Sequence, residues 1–432
     1  MSPSPETAKD SPAKAPNKSP LQRPKGTQDI LPANAPAWHH VENTARRLFE
    51  QANYREIRTP IFESTDLFER GVGESTDIVN KEMYTFIKEE RSLTLRPENT
   101  AGVVRAYIEQ GLSRQPKPVK LYYIGPMFRY ERPQAGRQRQ FHQVGVECFG
   151  LDTPASDAET IQLAMTLFDT LGLKDLALQI NNIGCPDCRE AFKQQLKTLV
   201  EPALATLCQP CQNRYVINPL RMLDCKEPGC QTVYGQDPVA SFLEQDSTCE
   251  ACQTHFTRLT EILTGLGIPF QRNKRLVRGL DYYTRTVFEI TCMHLGAQNA
   301  VCGGGRYNGL VESLGGPATP AVGWAVGMER LISLLPEQSA PSLDFYIVSD
   351  DPVAALTLAK AMRATAPVRV EVDTTGKGFG KQLAQADKLG ARHAVLLGAD
   401  ELASQQVTIK TLASGEQATQ TRDAFLSSLA SG

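Results

Sequence analysis

Two strand-like runs, Leu121–Glu131 and Phe141–Phe149, flank a loop of Arg, Gln, Pro and Gly, and no other stretch constrains the chain as much. Such a run–loop–run pattern predicts an antiparallel pair with a long basic tip. Sorted by the two-residue period of a strand, the second run puts His142, Val144, Val146 and Cys148 on one face, which reads as core. Phe141, Gln143, Gly145, Glu147 and Phe149 take the other. An amide, a missing side chain and a carboxylate in mid-strand suit a floor under a small polar ligand. On the first run Arg129 and Glu131 share a face, and Arg132, Arg137 and Arg139 occupy the loop. Two readings stand. One is a phosphate-gripping Arg beside a ligand-reading Gln/Glu pair, with loop arginines free for nucleic acid. The other is an exposed hairpin with a solvated tip, and the hairpin alone does not choose.

The chain has 432 residues, long enough for two or three domains with real cores. With 41% hydrophobic and 22% charged residues it has the composition of a globular protein. No apolar run approaches a bilayer span, so a membrane-embedded protein is excluded. A net charge of −2 means that any nucleic-acid contact must use local basic surfaces. Residues 1–22 are rich in Ser, Pro, Ala and Lys and predict a disordered tail. The tail has no apolar segment like that of a secretion signal, and Glu6 and Asp10 argue against a mitochondrial presequence, so a cytoplasmic location is expected.

In that compartment 11 cysteines point to metal rather than to disulfides. Eight fall in pairs: Cys185/Cys188, Cys208/Cys211, Cys225/Cys230 and Cys249/Cys252. Two closed Cys₄ zinc sites would use all eight; free thiols are the other reading. A helix from Cys188 to about Val200 spans roughly 18 Å, which keeps Cys208/Cys211 far from Cys185/Cys188. The helix after Cys252 leads back to the main domain, so its start is expected at the outer end. The expected sets are Cys208, Cys211, Cys249 and Cys252 outside, and Cys185, Cys188, Cys225 and Cys230 inside.

Trp38, Val41, Ala45, Leu48, Phe49 and Ala52 have helical spacing and predict an amphipathic helix over 35–53. It feeds a strand over 55–63 that Pro60 demotes to an edge or a junction. Short strands over 83–88 and 92–96 lead to Pro97-Glu98-Asn99-Thr100, which opens a helix that Glu98 and Thr100 could simply cap. A helix over 156–171 and a strand over 175–182 precede the Cys-rich block, and a turn and strand over 277–290 follow it. Gly303-Gly304-Gly305 leaves a backbone open to close approach. A helix over 321–335 would carry Gly323, Gly327 and Arg330 on one side, each glycine costing about 1 kcal/mol relative to Ala. That cost is tolerated where a strand or ligand must come close. After a linker over 336–342, strands near 343–349, 368–373, 393–398 and 406–411 alternate with helices near 352–365, 379–389 and 420–430. This predicts a small α/β domain with a mixed sheet, on which Lys377, Lys381 and Lys388 could face nucleic acid.

FRYERPQAGRQRQFHQ resembles the second signature motif of the class II aminoacyl-tRNA synthetases in its histidyl form. TPIFE at 59–63, TLRPENT at 94–100, RGLDYYTRTVFE at 278–289, GGGRY at 303–307 and AVGMERL at 325–331 keep the family's order. The resemblance runs from about Arg23 nearly to the end. It implies an α/β protein: an α+β catalytic domain on an antiparallel sheet (23–184 and 268–335), a Cys-rich insertion (185–267) and a C-terminal anticodon-binding domain (343–432). It implies histidine–tRNA ligation, in which histidine attacks the α-phosphate of ATP and the 3′ end of tRNA-His takes the histidyl group, with Mg²⁺ as the nucleotide's counter-ion. Carried over position by position, Arg129 and Arg278 meet the α-phosphate, and Glu131 and Arg330 the nucleotide. Glu98, Thr100, Gln143, Glu147, Tyr282 and Tyr283 meet histidine. Arg132 and Gln134 meet the acceptor end, whose additional 5′ guanosine the loop would read.

The helix and Pro-containing strand of the first motif imply a homodimer, and any zinc would be structural. Asn99 stands where the family usually has Gly, a mild departure because Asn tolerates left-handed geometry. Tyr282 and Tyr283, if on a strand, would face opposite ways and leave only one fully in the pocket. Two readings from other classes are weaker. A regulatory subunit of ATP phosphoribosyltransferase keeps the catalytic fold but tends to lose the Arg-rich motifs and the C-terminal domain. A redox or zinc-dependent enzyme centred on the cysteines leaves the six ordered blocks unexplained.

Overall fold

The computed structural model describes residues 21–74, 76–132, 137–295, 300–336 and 342–431. Nearly all of the expected N-terminal tail and most of the expected linker lie outside them. The chain divides into two compact units, Met1–Gln338 and Ser339–Gly432.

The first unit is built on an eight-stranded sheet. Its strands, in spatial order, are Arg55–Glu56, Val119–Phe128, Gln140–Phe149, Ala321–Gly327, Ala300–Arg306, Thr284–Cys292, Leu176–Asn182 and Gln271–Arg272. The outermost pairing at each edge is parallel and the inner pairings are antiparallel. The expected hairpin is there in full register, from Val119 opposite Phe149 to Phe128 opposite Gln140.

One face of this sheet makes the main core. Val144, Val146 and Cys148 lie there with Val322, Trp324, Val326, Phe288 and Ile290, under the helices Ala35–Gln51, Pro154–Thr170 and Glu250–Gly265. Helix Ala35–Gln51 buries Trp38, Val41, Ala45 and Phe49 along one stripe, and full burial of such a large apolar side chain stabilises by roughly 1.5–3 kcal/mol. Helix Pro154–Thr170 starts where Thr153 accepts from the Ser156 N–H and Pro154 needs no donor. Within the core, Asp157 is fully buried and takes hydrogen bonds from Arg306, from Thr286 Oγ1 at 2.7 Å and from His255 at 2.7 Å. This network ties the strand Ala300–Arg306 to the helices Pro154–Thr170 and Glu250–Gly265 on the core face, which holds the residue after Arg306 in place.

Residues 321–335 are not one helix. Ala321–Gly327 is a strand, and only Met328–Ser333 is helical. Glycines four apart satisfy a period of two as well as one of 3.6. The decisive pattern is Val322, Trp324 and Val326 alternating into the core while Gly323, Ala325 and Gly327 take the opposite face. The expected strand over 55–63 is likewise split. Arg55–Glu56 joins the edge of the large sheet, while Phe62–Ser64 joins a three-stranded sheet with Tyr84–Lys88 and Arg91–Leu95.

The second unit has a five-stranded sheet in the order Val370–Val372, Leu343–Ser349, Ala391–Leu397, Gln406–Thr411, Gln417–Thr421. The first three run parallel and the last two antiparallel, so the sheet is mixed. The last strand and the short helix Ala399–Ser404 are additions to the expected elements. Lys377, Lys381 and Lys388 are exposed. Among the described residues, no helix is long and apolar enough to cross a membrane.

Candidate active site

The face of the large sheet opposite the main core is hollow at its centre. Register aligns Tyr123, Gly145, Ala325, Gly303 and Glu289 in one row across five strands. The next row aligns Leu121, Glu147, Gly323, Gly305 and Val287. The middle of each row is glycine or alanine and the ends are large, so the sheet floors a cavity of about 900 Å³. Two of the glycines are needed for space: a Cβ on Gly323 would strike the Glu147 carboxylate, and one on Gly303 would strike the Arg278 guanidinium.

At one end of the hollow sits Glu147, 1% exposed. Thr100 Oγ1 donates to its Oε1 at 2.7 Å, and the Tyr307 hydroxyl donates to its Oε2. Burial nevertheless dominates and pushes its carboxyl up to about 8. Tyr282 and Tyr283 both border the cavity, with ring centroids 4.7 Å apart. Strand alternation does not separate them because they lie in a turn and the strand begins only at Thr284. The Tyr123 hydroxyl and the Gln143 Oε1 also border the cavity, and both are buried without a hydrogen-bond partner. Buried polar atoms left unsatisfied in a cavity call for a polar ligand. Glu98 does cap its helix: its two oxygens accept from Thr100 N at 2.7 Å and Ala101 N at 2.9 Å. It is also 3% exposed and borders the same cavity, and burial raises its pKa.

The other end is cationic. Arg278 Nη1 donates to Glu289 Oε1 at 2.5 Å. Arg129 Nε donates to the Pro97 carbonyl at 2.7 Å, and its guanidinium lies over the Phe141 ring. Arg330 donates to the Ala300 carbonyl at 2.8 Å, and burial lowers its pKa. All three border the cavity with Glu131, which pairs with Arg129 at 3.8 Å and Arg137 at 3.1 Å. Arg132 is exposed at the hairpin tip, and Gln134 lies outside the described residues. The sequence reading missed Tyr307, Tyr123, Glu289 and Glu329. Glu329 fixes the floor strand by accepting the His142 N–H at 2.9 Å. Glu289 ends the block RGLDYYTRTVFE, and strand register places it beside Gly303 in the same row.

The eight paired cysteines form two sets, Cys185, Cys188, Cys249 and Cys252, and Cys208, Cys211, Cys225 and Cys230. The expectation that Cys208/Cys211 lie apart from Cys185/Cys188 agrees with this, but the expected partners are exchanged. Helix Glu250–Gly265 does not cross the insertion. It buries Phe256, Leu259 and Leu263 in the main core and runs back along the sheet, so its start, not its end, sits where the strand Leu176–Asn182 finishes. That brings Cys249 beside Cys185. In each set the ligand sulfurs lie within 4.8 Å of one another, with 3.5 Å between Cys185 and Cys188 and 3.7 Å between Cys208 and Cys225. Tetrahedral zinc with Zn–S of about 2.3 Å requires sulfurs about 3.8 Å apart. Cys185, Cys208 and Cys249 each occupy the N-cap position of a helix, so three helix N-termini with their partial positive charge face the sulfur clusters. Backbone N–H groups of Cys249 and Cys208 point at the sulfurs of Cys188 (3.1 Å) and Cys230 (3.3 Å). None of the eight borders the cavity.

Among known proteins, the family model described as histidyl-tRNA synthetase matches residues 26–331, and that of an anticodon-binding domain matches 351–431. The chain is 47% identical over 406 residues to the histidine–tRNA ligase of Desulfitobacterium hafniense, covering 92% of this chain and 95% of that one. It is 52% identical over 407 residues to that of a Cyanothece species, covering 92% and 94%. A crystal structure of apo histidyl-tRNA synthetase from S. aureus superposes with a TM-score of 0.77 at 37% identity, covering 95% of this chain and 100% of that one.

Proposed function

The chain belongs to the histidyl-tRNA synthetase family, and from that premise we propose that the cavity on the large sheet joins the histidine carboxylate to the α-phosphate of ATP, breaking the α–β phosphoanhydride bond and releasing pyrophosphate, before transfer of the histidyl group to tRNA-His. One juxtaposition carries the reading: a buried, hydrogen-bonded Glu147 faces two tyrosines at one end of a hollow that is lined with arginine at the other. The first end suits an imidazole, which needs a polar partner at each ring nitrogen. Glu147, Tyr282 and Tyr283 read the ring. Glu98, Thr100 and the unsatisfied Gln143 oxygen take the ammonium end. A competitor without the imidazole leaves these buried groups unpaired, which is how such a pocket discriminates. The second end suits a triphosphate. Arg129 and Arg278 hold the α-phosphate where the histidine carboxylate attacks, and Arg330 and Glu131 hold the rest of the nucleotide. Phosphoryl transfer asks for position and positive charge rather than covalent help. Glu131 and Glu289 are the cavity carboxylates that would hold the Mg²⁺ of the nucleotide, an ion that would supply charge neutralisation of the phosphates.

Arg132, at the hairpin tip, and Gln134, two positions later in the sequence, are proposed to meet the tRNA acceptor end, and the unit 343–432 to meet the anticodon. Ile61, Phe62, Phe86 and Ile87, exposed on and beside the small sheet, support a homodimer. Purified protein with ATP, Mg²⁺ and histidine should exchange pyrophosphate in a histidine-dependent manner and charge tRNA-His. Charging of prolyl or threonyl tRNA instead would overturn the pocket assignment. The regulatory-subunit reading predicts no exchange at all; the arginines lining the cavity speak against it.

Removing residues 342–432 should weaken tRNA charging severely while leaving pyrophosphate exchange largely intact. Equal loss of both would mean that the second unit is needed to hold the first.

The two cysteine sets are proposed as structural Zn²⁺ sites, since their sulfur spacing and helix-end positions suit the ion and none borders the cavity. Metal analysis should find two zinc per chain. Cys185→Ser with Cys249→Ser should leave one, whereas Cys185→Ser with Cys225→Ser should cost both. A protein with eight titratable thiols and no zinc would remove the proposal.

A further inference from the structure

Arg189 is the first residue after the Cys185/Cys188 pair, on helix Pro186–Val200, and belongs to no motif of the catalytic site. Its guanidinium does not reach for a carboxylate. Nη1 donates to the Asp281 carbonyl at 3.1 Å and to the Tyr283 carbonyl. These two carbonyls bracket Tyr282, so the guanidinium grips the backbone of the turn that carries both cavity tyrosines. A second side chain from the Cys-rich region holds the same turn: Asn218 Nδ2 donates to Asp281 Oδ1 at 2.7 Å. On the catalytic side the turn rests on the segment around Gly73. Asp281 N donates to the Val72 carbonyl at 3.2 Å, and Gly73 (φ +106°) has no room for a Cβ beside the Asp281 side chain. The turn is thus held between the insertion and the end of helix Thr65–Val72.

The grip itself has one anchor. Cys188, next to Arg189, accepts the Cys249 N–H at 3.1 Å within its four-sulfur cluster. Whatever fixes those sulfurs fixes the start of the helix and the Arg189 backbone.

We infer that Arg189, seconded by Asn218, is a positioning residue that sets affinity for the amino-acid substrate by holding the Tyr282–Tyr283 turn, and so links the Cys185 cluster to substrate selection. The inference rests on the reading of Tyr282 and Tyr283 as the imidazole-facing residues. The effect is read on the amino-acid end of the cavity: Arg129 and Arg330 lie on other elements, and Arg278, three residues before Asp281 in the same segment, has its own hold on Glu289 at 2.5 Å.

The test is steady-state pyrophosphate exchange by the full-length protein, with histidine and ATP varied separately. Arg189→Ala should raise KM for histidine by about 10-fold, since small misplacement of a positioned group is that expensive, with KM for ATP within about twofold. Zinc content should stay at the wild-type value, which separates the effect from loss of the cluster. Arg189→Lys, which keeps the charge but not the fork, should lie between the two. Should Arg189→Ala not fold, Asn218→Ala and Arg189→Lys carry the same comparison. An unchanged KM for histidine in these variants, or equal rises for histidine and ATP, overturns the inference. Tyr282→Phe and Tyr283→Phe tell the two failures apart. If neither moves KM for histidine, the pocket assignment fails and the inference falls with it. If they move it and the Arg189 variants do not, the inference alone fails.

Discussion

Arg278→Ala is expected to lower histidine-dependent pyrophosphate exchange by about 10³-fold, roughly 4 kcal/mol of transition-state stabilisation. Histidine affinity should stay close to wild type. The expectation follows from where the guanidinium sits. It lies against the Cβ-free face of Gly303 and is held by Glu289 at 2.5 Å. On the proposed assignment, a cation fixed in advance, away from the Glu147 end, would stabilise charge that grows on the α-phosphate without reading the amino acid. Arg278→Lys should recover little, because an ammonium cannot present a planar fork. Gly303→Ala offers a check that leaves the arginine in place: the added methyl meets the guanidinium and should displace it, giving a smaller loss of the same kind. A fall in histidine affinity with the rate preserved would assign Arg278 to the wrong end of the cavity.

Glu147→Gln should weaken histidine binding by about 10²-fold, since the pocket loses the carboxyl group that pairs with the imidazole in a dry site. The same change should stabilise the empty protein at alkaline pH. In the folded chain burial holds the Glu147 carboxyl up to about 8, against an ordinary value of 4.5. Between those values the folded state keeps a proton that the unfolded state releases, so this group's contribution to stability falls as pH rises from 4.5 to 8. Glutamine carries no such charge. Melting temperatures of variant and wild type should therefore diverge in the variant's favour between pH 5 and pH 8.5. Parallel profiles would mean that Glu147 is ionised throughout, and the pocket's electrostatics would have to be redrawn.

The hairpin over 119–149 was legible from the chain alone because the period of two acts between neighbours. Hydrophobic alternation in Gln140–Phe149 already separates the core face from the one that carries Gln143 and Glu147. Ordered motifs supplied Arg129, Arg278 and Arg330 in the same way, as residue types at fixed offsets from recognisable turns. The errors fall where a local pattern fits two answers. Gly323 and Gly327 suit a helix or a strand, and the choice is made by Trp324 packing into the core with its indole N–H on the Thr160 carbonyl at 2.8 Å. Tyr282 and Tyr283 share the cavity because the strand starts after them, a boundary set by ladder pairing at Thr284. Cysteine spacing identifies ligands but not their partners. That choice was made by helix Glu250–Gly265, which buries Phe256, Leu259 and Leu263 against the catalytic sheet and so carries Cys249 to Cys185. Burying that apolar stripe outweighs any preference a short loop could express, and the stripe's destination is a long-range fact. Spacing along the chain determines which groups are present; only packing between distant elements decides which of them meet.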